Sequence, residues 1–342
     1  MKILNFGSLN LDYVYQVEHF VQPGETLAAR QQKIAPGGKG LNQSVALAKA
    51  GAEVFHAGCI GIGGESLKAL LEENGVHTEY LRKVEELQGN AVIQVDSSGE
   101  NCIILYGGSN RMISKEQIEE TLEHFSAEDW LVLQNEVSNL EYMIEKAAEK
   151  GMTVVLNPSP FEAFLEKLDY GKISWLLINE VEAQQLSGET EADAVWKTLH
   201  EKYPQLCLIL TMGANGSYCF TPRETIYQEI FPVETVDTTA AGDTFTGYFL
   251  HGVTRGLPLK ECMEQAAKAS AICVSREGAA MQFPCGMKWI ILNWKKIFTK
   301  NENYRSVIEG GYGYGIYKHQ TRKSVVGHKW KANSGSWFFR VL

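Results

Sequence analysis

The sequence contains no C-x-x-C pair. Its seven cysteines, at 59, 102, 207, 219, 262, 273 and 285, are scattered and odd in number. That excludes a disulfide framework and a zinc site, and points to reduced thiols in the cytoplasm. The eight histidines show no paired metal-ligand spacing. Positive charge is short, with Lys+Arg 32 against Asp+Glu 41 and a formal net charge of −9, which argues against a general nucleic-acid binder. No apolar run approaches the roughly eighteen residues of a membrane span. The opening MKILNFGSLNLD breaks its apolar stretch at Asn5 and so does not read as a signal peptide. Three familiar motifs are missing as well. Gly61-Ile-Gly63-Gly64 lacks the third glycine of a dinucleotide fingerprint, Gly40 stands where a Walker loop needs Ser or Thr, and no G-x-S-x-G elbow occurs.

What is present is ample core material. Hydrophobic residues make up 44% of 342, enough for one large α/β domain or two modest ones. KILNFG reads as a short buried strand, and LNQSVALAKAG as a helix stopped by Gly51. AEVFHAGCIG is strand-like, and ESLKALLEENG is an amphipathic helix. From Trp130 onward, WLVLQ, MTVVLN, SWLLIN and LCLILT alternate with helical stretches beginning near Asn139 and Glu180. This alternation predicts a three-layer α/β domain, its mostly parallel sheet covered by helices on both faces. Two stretches do not fit that body: polar alternating residues near 10–35, and two β-rich runs flanking Asp96-Ser-Ser-Gly-Glu100. They predict a small β-sheet lid, from about 10–38 and 88–108.

Four segments carry candidate chemistry. In VDTTAAGDTFTGYFL only Ala240, Ala241 and Gly242 precede Asp243. Small residues before a helix let backbone N–H groups approach an anion, and the helix N-terminus favours negative charge there. An acid at such a place either accepts the proton of an attacking hydroxyl or caps the helix, and the segment alone leaves both open. In Pro36-Gly-Gly-Lys-Gly-Leu-Asn42, Lys39 and Asn42 offer donors for hydroxyl groups, though an ordinary lid-to-helix turn would look the same. Asn179-Glu-Val-Glu182 ends a strand, where ligands bind in open sheets, yet it is also a capping pattern. Thr211-Met-Gly-Ala-Asn-Gly216 is either a nucleotide slot or a hairpin turn.

Together these segments resemble the ribokinase-like sugar-kinase family, also called the ribokinase/phosphofructokinase-B superfamily. Its first signature is met by Gly37 through Ser44, then Gly51 and Gly61, and its second from Asp237 to Gly247, departing at Tyr248 where a small residue is usual. The resemblance covers roughly residues 1–284, with the motifs in family order. It implies ATP-dependent phosphorylation of D-ribose at its primary hydroxyl, with Asp243 as base and Ala240, Ala241 and Gly242 as an anion hole. Sugar contacts are implied for Asn10, Asp12, Gly38, Lys39, Asn42 and Glu136. Asn179 and Glu182 would position magnesium and phosphate, and Thr211, Gly213 and Gly216 would line the nucleotide site beside Gly242. A potassium site is implied near Asp237, Thr239, Cys273 and Gly278, with Gln282 standing where a small hydroxyl residue is usual. The resemblance also implies a homodimer formed through the β lids, with no nucleic-acid or membrane partner. A kinase of deoxyribose or a nucleoside, or a sugar-binding protein without turnover, are the alternatives.

After Pro284 the resemblance stops. Residues 285–342 carry 11 Lys+Arg and 2 Asp+Glu, a net of +9, so the preceding residues sit at −9 − 9 = −18. Four of the seven tryptophans fall in this segment. It is expected to be an atypical basic tail, a frameshifted or otherwise non-homologous ending that does not pack.

Overall fold

The computed structural model describes residues 1–276 together with Gly278, Phe283 and Pro284; the basic tail and Gln282 lie outside the described residues. In chain order the elements are β1 (Ile3–Phe6), β2 (Asn10–Gln16), β3 (Gln31–Gly37), α1 (Lys39–Ala50), β4 (Val54–Ile62), α2 (Glu65–Glu73), β5 (His77–Leu87), β6 (Asn90–Val95) and β7 (Asn101–Tyr106). There follow α3 (Lys115–Leu122), β8 (Trp130–Gln134), α4 (Leu140–Glu149), β9 (Thr153–Asn157), β10 (Trp175–Asn179), α5 (Glu180–Ser187) and α6 (Ala192–Lys202). The last are β11 (Cys207–Thr211), β12 (Ser217–Phe220), β13 (Thr225–Gln228), α7 (Ala241–Thr254) and α8 (Leu259–Val274).

Among the described residues the large sheet has nine strands in the order β13-β12-β11-β10-β9-β8-β1-β4-β5, all parallel from β11 to β5, with β12 and β13 antiparallel at one end. The inner strands β1, β8, β9, β10 and β11 are largely apolar because both faces are covered. Alternate side chains feed two cores. Leu4, Phe6, Leu131, Leu133, Leu176 and Ile178 pack with α3 to α6. Ile3, Trp130, Val132, Trp175 and Leu177 pack with α1, α2, α7 and α8. The expected three-layer architecture is therefore the one observed. The charged stretch at His77–Leu87 carries no expectation of structure, yet it forms the parallel edge strand β5. At the sheet edge most of its side chains are exposed or half-buried, so its apolar periodicity is diluted by solvent-facing charge.

The second sheet runs β3-β2-β6-β7, with antiparallel pairs at both ends and a parallel pair, β2 with β6, between them. The expected hairpin joins β6 to β7, and its turn is fixed by Asp96, whose Oδ1 accepts from the N–H groups of Ser98 and Glu100. This sheet springs from the ends of β1 and α1 and stands over the large one.

Two features position the site. First, the chain leaves β1 toward β4 and leaves the neighbouring β8 toward β9, on the opposite side. The carboxyl ends of β1 and β8 thus border a topological switch point, the place where open α/β sheets hold ligands. Second, α1 and α7 meet closely, because a Cβ on Gly247 would lie 2.5 Å from the Ala46 Cβ. Next to it, the bulky Tyr248 is accommodated in the core, and its hydroxyl donates to the Pro284 carbonyl. Among the described residues no helix is long and apolar enough to cross a membrane, and the six described cysteines are free.

The Gly247 contact makes a prediction. Gly247→Ala forces a methyl into packed atoms and is expected to lower unfolding stability by about 1–3 kcal/mol. Urea denaturation measures this, and an unchanged midpoint would contradict the tight helix contact.

Candidate active site

At the end of β1 the chain runs through Gly7 and Ser8 directly beneath the first turn of α1. A Cβ on Gly40 would fall 2.2 Å from the Ser8 nitrogen, and one on Gly37 would fall 2.0 Å from a carboxylate oxygen of Asp12. Gly38, at φ 93, precedes α1 in a conformation that side chains disfavour. The glycines of this motif are thus explained by the lid-to-helix junction itself. Lys39 is not explained that way.

Lys39 sits among carboxylates. Burial works against its ammonium charge, but Asp243, Glu136 and Glu182 outweigh it and hold its pKa above the ordinary lysine value. Glu136, from the end of β8, is buried and accepts from the Ser8 hydroxyl and from the Lys39 backbone N–H at 3.0 Å. Asp12, on β2 of the lid, is pushed up to about 7 by burial and by the Glu136 charge. Asn10 is buried beside them, its Oδ1 accepting from Asn110 at 2.7 Å, while Asn110 also accepts from the Leu9 N–H. Asn110 belongs to a short turn after β7 and carries no sequence signal beyond being polar.

Asp243 faces this cluster from α7. It does not cap its own helix, since no side chain caps that end. Its carboxylate instead accepts from the Asn42 side chain at 3.0 Å and the Gln43 side chain at 2.9 Å. Gln43 stands inside the first signature, but its link to Asp243 spans the sequence and is visible only in the fold. Asn42 Oδ1 is buried and has no partner among the described residues, which suits a hydroxyl donor from a ligand. Before Asp243, Ala240 adopts φ 60, a left-handed conformation costly for a non-glycine residue. The Ala241 N–H is taken by the Thr238 carbonyl. A Cβ on Gly242 would meet nothing within 4 Å. The packing of the protein itself does not require glycine there.

The remaining candidates flank this centre. Asn179 and Thr211 are register partners at the carboxyl ends of β10 and β11. Asn179 and Glu182 form a reciprocal capping box: the Asn179 side chain accepts from the N–H groups of Val181 and Glu182, and Glu182 Oε2 accepts from the Asn179 N–H. Thr211 donates to the Ile178 carbonyl at 3.4 Å. Gly213 and Gly216 bracket the turn between β11 and β12, where a Cβ on Gly216 would strike the Gln228 carbonyl at 2.5 Å. On the other side, Asp237 accepts from the Thr239 N–H at 2.9 Å and the Gly278 N–H at 3.0 Å. Burial alone would raise the Asp237 pKa, but these bonds, with the charge of Lys33, bring it below the ordinary value. Cys273 lies 3.7 Å from the Thr239 carbonyl, its thiol pushed up to about 11 by burial. The fold therefore gathers Asp237, Thr239, Cys273 and Gly278 in one loop cluster. Among the described residues no group of three His, Cys, Asp or Glu could hold a metal ion.

Known proteins resemble this chain. Residues 1–284 match the family described as pfkB family carbohydrate kinase. The chain is 35% identical over 288 residues to a ribokinase of Haemophilus influenzae, covering 81% of this chain and 94% of that protein. It is 31% identical over 294 residues to a deoxyribokinase of Salmonella typhi, covering 83% and 96%. A solved structure of Arabidopsis thaliana ribokinase complexed with ribose and ATP aligns with TM-score 0.75 and 29% identity, covering 85% of this chain and 97% of that one.

The Asp12 shift has a thermodynamic consequence. A carboxyl whose folded pKa is raised to about 7 from an ordinary 3.8 favours folding at low pH and loses that contribution as pH rises through 7. Asp12→Asn does not titrate. Its Tm is expected to gain on the unsubstituted protein progressively between about pH 4 and pH 8; parallel profiles would show that Asp12 ionises as freely as in the unfolded chain.

Proposed function

Because the chain belongs to the pfkB family of carbohydrate kinases, we propose that it transfers the terminal phosphoryl group of ATP to the 5-hydroxyl of D-ribose. ATP-dependent phosphorylation of ribose, or of a related sugar or nucleoside, is the activity of its relatives as a group. The narrower reading is carried by one observation: Asp243 turns away from its own helix and is held by two amides beside an open helix end.

Each carboxylate oxygen of Asp243 accepts one amide and keeps a further lone pair for a sugar hydroxyl. As that hydroxyl attacks, Asp243 takes its proton while the α7 N-terminus at Ala240 to Gly242 stabilises charge on the transferring group. Asn10, Asp12, Gly38, Lys39, Asn42 and Glu136 surround the acceptor. Lys39 shares this space with the carboxylates of Asp243, Glu136 and Glu182, so the site repels an acceptor that already carries phosphate. That balance favours a free sugar over a sugar phosphate.

Thr211, Gly213 and Gly216 stand where the nucleotide would lie, at the neighbouring strand ends. Glu182 commits Oε2 to the capping box, leaving Oε1 to receive a water of a magnesium ion carried by the nucleotide. Such an ion supplies charge neutralisation on the phosphate oxygens when bound. The Asp237 carboxylate and the Thr239 carbonyl are oxygen donors with a single negative charge, a set that suits a monovalent cation such as potassium. The lid is the proposed dimer contact, because its edge strand β7 is exposed along its full length and presents Ile103, Ile104, Leu105 and Tyr106. The free thiols of the described cysteines accord with the reducing conditions of the cytoplasm.

Deoxyribose is the second acceptor to consider, given the 31% identity to a deoxyribokinase. A coupled ADP-release assay across ribose, deoxyribose, fructose and nucleosides, with and without potassium, is expected to give ribose the highest kcat/KM. In the same assay Asp243→Asn should lose at least about a hundredfold in kcat while calorimetry still detects ribose binding. Near-normal turnover in that variant would refute the base assignment. Replacing Ile103 and Ile104 by lysine should convert a dimer to a monomer in sedimentation; a dimer that persists would remove the lid from the interface.

A further inference from the structure

The Gln43 amide that touches Asp243 is the last member of a buried chain of amides. Gln134, at the carboxyl end of β8, donates from Nε2 to Gln43 Oε1 at 2.7 Å and to Asn5 Oδ1 at 3.0 Å. Asn5, in the middle of β1, donates from Nδ2 to the Gly40 carbonyl and to the Ser44 hydroxyl, both at 2.8 Å. Asn5, Gln43 and Gln134 are fully buried.

We propose that Asn5, Gln134 and Gln43 form a directed amide relay that fixes a hydrogen-bond donor against Asp243, which makes Gln43 and Gln134 positioning residues for phosphoryl transfer. The proposal rests on the reading of Asp243 as the base. Its direction follows from the two ends. The Gly40 carbonyl can only accept, so Asn5 must present its NH₂ there and its oxygen toward Gln134. Gln134 must then present its own NH₂, which also reaches the Gln43 oxygen. Gln43 is left with its NH₂ toward Asp243, and an ionised carboxylate can only accept.

The alternative polarity is excluded by the same contacts. Turning the Gln134 amide over would set its oxygen against Asn5 Oδ1 and Gln43 Oε1, two acceptors at once. The chain instead leaves Gln134 Oε1 buried without a partner among the described residues, and accepts one orphaned acceptor to keep this polarity. The branch through Ser44 closes consistently. Ser44 accepts from Asn5 and is free to donate to His56 Nδ1 at 2.8 Å, and burial holds His56 neutral, with its pKa down to about 4. Without the relay the Gln43 amide would be oriented by Asp243 alone and would turn with it. The relay removes that freedom and aims the carboxylate before substrate arrives.

The test is a kinetic double-mutant cycle on the full chain, with ribose and ATP. Gln43→Met and Gln134→Met remove the amides at nearly constant volume. Each is expected to lower kcat about tenfold to a hundredfold with ribose KM changed by less than about threefold. The double variant should be no slower than Gln43→Met alone, because residue 134 acts on Asp243 only through residue 43. Losses that multiply, or a Gln134→Met enzyme with unchanged kcat per folded molecule, would overturn the relay. Gln134→Asn, which keeps a neutral amide but is one methylene shorter and so withdraws it from Gln43, gives the same reading if the apolar variant fails to fold. Asp243→Asn run in parallel separates the two ideas. If it retains turnover, the base reading fails; if it is inactive while the Gln134 variants are normal, only the relay fails.

Discussion

The contact between α1 and α7 is the constraint on which the site depends. Gly247 brings α7 against Ala46 with no side chain between the backbones, and the first turns of both helices then share one space. Asn42 and Asp243, 201 residues apart in sequence, come within hydrogen-bond distance as a result. Gly40 does the same for α1 and β1, since any Cβ there would meet Ser8. Three backbones are thereby locked in contact. The polar groups at their ends have no freedom to drift apart, and rigid support of this kind is what a reacting geometry needs.

The electrostatics follow from that crowding. Four carboxyl groups, those of Asp12, Glu136, Glu182 and Asp243, gather around a single ammonium group, Lys39. Such a cluster is unfavourable unless protons or donors offset it. The structure uses both. Asp12 holds its proton to about pH 7, Glu136 takes a hydroxyl and a backbone N–H, and Asp243 takes two amides. A polyhydroxylated ligand adds further donors, and the unpartnered Asn42 oxygen is one place waiting for them.

Much of this was legible in the sequence, and the illegible parts share a cause. Uninterrupted apolar runs such as WLLIN and TVVLN announced strands buried on both faces, and the alternation near 10–35 announced the lid. Asp243 stood out because an acid is electrostatically odd among small residues at a helix end. By contrast, Asn179-x-x-Glu182 could not be resolved from sequence, because a capping box and a ligand site call for the same residue types at the same spacing. β5 went unseen because its outward charges mask its apolar pattern. Asn5 and Gln134 were visible only as polar residues in apolar strands. Their partners lie up to 129 residues away, and no local pattern encodes a pairing of that range. The glycines of Gly37 to Gly40 also changed meaning: two of them are packed against the protein's own backbone and carboxylate, leaving Lys39 as the chemically distinctive member of the motif.

The position of β1 has a consequence for how the chain comes to exist. It is made early yet lies inside the sheet, between β4 and β8, while α7, which packs against the α1 helix at its end, begins more than two hundred residues later. Asp12 and Glu136 thus emerge from synthesis more than a hundred residues before Asp243 joins them. Between Glu136 and Asp243 the growing chain carries these two acids without the third. Such long-range closure slows folding, and it also means that no shortened product ending before α7 can assemble the cluster of Asp12, Glu136 and Asp243. The cluster closes only when nearly all of the described fold is in place.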